Sequence, residues 1–134
     1  MHTWIKMIET ANQMFALQAY DQAEKAYLTA INEAGALFNG WFDSKRSVSA
    51  YLVSHHNLAH LYIKNNRSEE ARLLLIDFQA QLIKASDAHR LNSPRLVALQ
   101  SAIEQNTLAL NNNFSVRESS AVMHQNIINP MHLN

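Results

Sequence analysis

The sequence predicts an all-α fold, and three observations carry that expectation. Hydrophobic residues make up 48% of the 134, enough for a core. Glycine and proline number only two each, too few to turn the chain as often as a β-sandwich requires. Apolar residues recur at i, i+3 and i+4 along most of the chain, the period of an amphipathic helix.

The elements follow in order. Thr3 can cap a first helix whose apolar positions are Trp4, Met7/Ile8, Ala11 and Met14/Phe15. A break falls at Leu17-Gln18-Ala19, and a second helix shows Ala23, Ala26/Tyr27, Ala30/Ile31 and Ala34 on one face. The stretch from Gly35 to Asp43 is expected to end or loosen it. Asp43 or Ser44 can cap a third helix bearing Val48, Tyr51/Leu52, His55, Leu58/Ala59 and Tyr62. Asn65-Asn66 reads as a turn, and Asn66 with Glu69 has capping-box spacing. The fourth helix presents Ala71, Leu74/Leu75, Phe78 and Leu82. Ser93-Pro94 opens a fifth, with proline in the first turn where its missing N–H costs nothing. Its face is Leu96, Leu99, Ala102/Ile103, Asn106 and Ala109/Leu110. Asn111 to Asn113 reads as a turn, and Ser115 with Glu118 opens a weaker sixth helix bearing Val116, Met123 and Ile127. Six helices in three antiparallel hairpins result, as one domain over residues 1–128 with a frayed tail at 129–134.

Composition excludes several functions. No cysteine is present, so thiolate catalysis and Cys-ligated zinc are out. Lys+Arg 11 balances Asp+Glu 11, and no segment gathers cations, so nucleic acid is not an expected partner. No apolar run exceeds four residues, as in Leu73 to Ile76, far short of a membrane span. The N-terminus is broken by charge too early for a signal peptide. The expectation is a cytoplasmic chain without cofactor. Gly35 and Gly40 have P-loop spacing, but Trp41 and Phe42 stand where the Lys and Ser/Thr would meet phosphate and metal. No Ser is flanked by Gly as in a nucleophile elbow. Glu69-Glu70 sit where a helix N-terminus favours anions. The chain is expected not to be an enzyme.

The segment from Asn57 to Ala71 resembles a tetratricopeptide repeat (TPR). Leu58-Ala59, Tyr62 and Glu70-Ala71 match the small and aromatic sites where its two helices touch. Ala11, Tyr20, Ala23, Tyr27 and Ala30 match in the first hairpin, so the likeness covers about residues 4–83. Ala23 and Ala71 lie 48 apart, against 34 in the family. Gln18 and Asn66 stand near turn sites that usually carry Gly, and the third hairpin matches poorly. The resemblance implies a TPR-like α-α superhelix and a non-catalytic module. Such a scaffold or adaptor holds a protein or peptide on the inner face of each hairpin's first helix. Here that face would carry Ile8, Asn12, Phe15 and Ala16 from the first hairpin. From the second it would carry Val53, His56, Asn57, His60, Ile63 and Lys64. Asn12 and Asn57 match two Asn that some members use to clamp a terminal carboxylate. Ile8, Leu99 and Ile103 stand where the clamp's cations belong, and a carboxylate needs charged donors. The resemblance therefore implies binding of a helix or extended peptide by shape and neutral hydrogen bonds.

His55, His56 and His60 form a separate constellation. His56 and His60 are i, i+4 and share a face, a candidate metal pair; the competing reading packs His55 against Tyr51 and Ala59. Asn57 stands where a zinc protease would carry glutamate. A small-molecule or metal sensor using this face is the alternative function. Phe38, Trp41 and Phe42 are expected either to seal the core between hairpins or to anchor a partner. Short repeat arrays expose apolar ends, which leaves room for a homodimer.

Overall fold

The computed structural model describes residues 1–40, 44–91 and 93–114. Five helices follow one another: α1 (His2–Ala16), α2 (Tyr20–Asn39), α3 (Ser44–Lys64), α4 (Ser68–Ala88) and α5 (Ser93–Phe114). Among the described residues there is no strand. The fold is all-α, as expected. The sixth helix expected after Ser115, the tail and the Trp41-Phe42 pair lie outside the described residues.

Each helix packs on its predecessor, and α3 also meets both α1 and α5. α3 is thus enclosed, and its residues from Ser47 to Tyr62 are buried except Ser49 and Val53. One apolar cluster joins Ile8, Ala11, Ala23, Tyr27, Ala30, Leu58, Ala59, Ala71 and Leu75. A second joins Ala34, Phe38, Tyr51, Leu52, Phe78, Leu82, Leu99 and Ala102. The anticipated helix faces supply these clusters. Alanine at the crossings lets the axes approach, and Tyr27, Tyr51 and Phe78 fill the volume beside them.

The two hairpin turns are conformational copies. Gln18 and Asn66 each have φ of 62°, a left-handed conformation that ends a helix by freeing its last carbonyls for new donors. The Gln18 and Ala19 amides donate to Phe15 O (2.9 Å) and Met14 O (2.9 Å). Asn66 and Arg67 repeat this on Ile63 O (3.2 Å) and Tyr62 O (2.7 Å). Gln18 and Asn66 are 48 positions apart, the same offset as Ala23 and Ala71. Arg67 then donates to Glu24 (2.7 Å) and lies 4.4 Å over the Tyr62 ring, pinning the second turn to α2.

Three local expectations are corrected and one is sharpened. Thr3 does not cap α1, which starts at His2 behind Met1 with no side-chain cap. Asn66 does not open a capping box: it closes α3, and Arg67 is the N-cap of α4. α2 ends at Asn39 with Gly40 as its C-cap, inside the stretch expected to end it, and Gly35 itself stays within the helix. A side chain begun at Gly35 would lie 3.4 Å from the Tyr51 ring, so the glycine is a helix-contact position. Asn111 to Asn113 is not a turn, because α5 continues to Phe114. Leu110 and Phe114 pack on the first cluster, and Asn113 Nδ2 donates back to Ala109 O (2.7 Å). Burial there outweighs the weak helix propensity of Asn.

Candidate functional site

The stripe of α3 that faces outward between α1 and α5 is Lys45, Ser49, Val53, His56, His60 and Lys64, at helical i, i+4 and i+3 steps. Its two halves differ. The C-terminal half holds most of the residues expected to bind a partner, and there α1 and α5 close over it. Asn57 Nδ2 donates to Asn12 Oδ1 (3.1 Å), and the Tyr27 hydroxyl donates to the same oxygen. His60 meets the Phe15 ring edge-on at 5.4 Å. His56 Nε2 donates to Asn106 Oδ1 at 2.7 Å. Asn106 Nδ2 in turn donates to Leu75 O (3.0 Å) and Gln79 Oε1 (2.9 Å), tying α3 to α5 and α4 together. His56, Asn57 and His60 are consequently buried, while Asn12 and Lys64 remain exposed and Phe15 half-buried.

His55 points the other way, into the core. It stacks on Phe78 with centroids 3.9 Å apart and planes at 12°, and meets Tyr51 edge-on at 4.7 Å. Its Nδ1–H donates to Tyr51 O at 2.7 Å. Burial pulls its pKa from 6.5 to about 4, because a low-dielectric site disfavours the imidazolium. Burial lowers His56 as well, and His60 by burial and then by the Lys64 charge. At neutral pH all three rings are therefore neutral packing groups. His55 lies in the core against Tyr51, as the competing reading expected, but His56 and His60, expected to be exposed groove residues, are buried. His56 spends a ring nitrogen on Asn106, and among the described residues no three His, Cys, Asp or Glu side chains gather as a metal site needs.

The N-terminal half of the stripe is open. On its α5 side a cavity of about 760 Å³ is lined by Val48, Ser49, Leu52, Val97, Ser101 and Gln105. On its α1 side a cavity of about 570 Å³ is lined by Met1, Trp4, Ile5, Ser49 and Val53. Lys45 and Ser49 belong to both, so the two form one trough with α3 as floor. Trp4 Nε1 donates to Ser54 Oγ (2.7 Å), holding α1 against α3 beside the trough. Ile5, Val53 and Val97 expose apolar surface to it. Val53 belongs to the face drawn from the resemblance. Ser49, Val97 and Ser101 were not anticipated. Stepping back by fours and threes from His60 through His56 and Val53 leads to Ser49, but nothing in the sequence reveals which half of the stripe is closed.

A small molecule, helix or peptide in such a trough meets apolar walls, hydroxyls and an amide, with the cationic Lys45 and Arg46 beside them. Among the described residues no converging pair of acid and base groups lies in it, and no helix is long and apolar enough to cross a membrane. No curated protein matches the chain, and no solved structure does. A family model matches residues 2–125, almost the whole length. The chain belongs to that family, DUF2753, described as a protein of unknown function.

Proposed function

We propose that this protein is a TPR-like helical-repeat module that binds an amphipathic helix or extended peptide of another protein in the trough between α1 and α5, and catalyses nothing. The observation that carries the reading is the open half of the α3 stripe. There Ile5, Val53 and Val97 present apolar surface on three different helices around Ser49. An amphipathic segment laid along α3 would bury these side chains and offer its backbone or polar edge to Ser101 and Gln105. The matching turns 48 residues apart support the repeat character. The three-hairpin superhelix, whose last helix falls beyond the described residues, belongs to the same proposal, as does a cytoplasmic location.

In this reading Asn12, His56, Asn57 and His60 shape the trough by fixing its walls, and Lys64 lies at its far end. The test is Val53→Glu with Val97→Glu, two exposed positions whose change leaves the core intact. Proteins captured from native lysate by the parent chain should be lost with the variant, while the melting temperature is retained. Capture of the same proteins by both chains, or of none by the parent, overturns the proposal.

A further inference from the structure

The outer face of α4 carries a second surface. α4 is apolar on two opposite faces. Ala71, Leu75, Phe78 and Leu82 point into the core. Leu73, Ile76, Ala80 and Ile83 point away from it, and Leu73, Ile76 and Ile83 are 48%, 39% and 47% exposed. Their 3-4-3 spacing is the seam of a two-helix packing, with one apolar contact per turn.

The repeat does not require this stripe. At the 48-residue offset the corresponding positions of α2 are Lys25, Leu28, Asn32 and the buried Gly35, where only Leu28 is a large exposed hydrophobe. The outer apolar seam is therefore peculiar to α4.

We propose that this face is the interface between two copies of the chain, with α4 packed antiparallel against α4 of the partner about a two-fold axis. Size and charge both fit a self-complementary contact. With the axis midway between Ile76 and Ala80, Ile76 of each copy falls on the small Ala80 of the other, and Leu73 falls on Ile83. Exposed Asp77 and Lys84 flank one side of the seam seven residues apart. Running antiparallel, with each side chain tilted toward its own helix N-terminus, Asp77 of one copy meets Lys84 of the other, and the pair occurs twice. The opposite flank holds Arg72, which is already engaged by Glu69 of its own helix. A net charge of zero adds no general repulsion.

Sedimentation velocity of the full chain over a concentration series tests this. The parent is expected to show a monomer–dimer equilibrium. Ile76→Lys should leave a monomer with unchanged helicity and melting. Asp77→Lys or Lys84→Asp alone should weaken association by about tenfold or more, since each places like charges together twice. The double exchange Asp77→Lys/Lys84→Asp should restore it. A parent monomeric throughout, whether because the C-terminal segment or another protein covers the stripe, overturns the proposal. So does a dimer that tolerates Ile76→Lys, or a double exchange that fails to recover.

Discussion

Acidification should unfold this protein through its histidines before its carboxylates take part. His55 is 3% exposed, stacked on Phe78 and held by burial at a pKa of about 4, against 6.5 in the unfolded chain. The unfolded state therefore binds protons first. Stability from this group is complete above pH 6.5, falls as pH drops through the window from 6.5 to about 4, and levels off below. Across the whole window the loss is about 3 kcal/mol; from about pH 7.5 to about pH 5 it is about 2 kcal/mol. His56 and His60, also lowered by burial, add in the same direction. Glu24, held below 4.5 by the Arg67 guanidinium, contributes only at more acidic pH. Urea denaturation at the two pH values measures the change, with an unaltered m-value as the sign that the folded state is the same. His55→Phe keeps the ring on Phe78 and removes the titration, so its slope over this window should be shallower by the His55 share. Equal stability of the parent at both pH values, or an equal slope in His55→Phe, refutes the reasoning.

Two further outcomes follow from single side chains. Asn106→Ala removes the acceptor of His56 and the donor to Leu75 O and Gln79. It should cost about 1–3 kcal/mol by equilibrium denaturation, since the groups left behind are buried. Gln18→Gly relieves a left-handed backbone that an ordinary side chain resists, and should raise stability by about 1 kcal/mol in thermal melts. Asn66→Gly should gain less, because Asn tolerates that conformation.

Which residues face the core was legible in the sequence because it depends on helical period alone. Ala23, Tyr27, Ala30, Leu58, Ala59, Ala71, Leu75, Phe78, Leu82 and Leu99 all fell on anticipated faces and all are buried. The left-handed turns were legible in part: Gln18 and Asn66 were placed near glycine sites of the repeat, and both adopt the glycine-like conformation. Boundaries set by burial were not. Asn111 to Asn113 look like a turn locally, yet Leu110 and Phe114 carry the helix through them.

The candidate site divides along the same line. The sequence by itself determined that α3 presents a stripe through Val53, His56, His60 and Lys64, since positions three or four apart share a helix face whatever surrounds them. Only the tertiary structure decided what that stripe does. α1 and α5 converge on its C-terminal half, where Asn12, Phe15 and Asn106 engage Asn57, His60 and His56, and stand apart over Ser49 and Val53. The distance between two helices depends on side chains far apart in the chain, such as Trp4 on Ser54 and His56 on Asn106, each pair separated by 50 residues. No local pattern encodes such a distance, so the direction of the stripe was readable in the sequence and its open end was not.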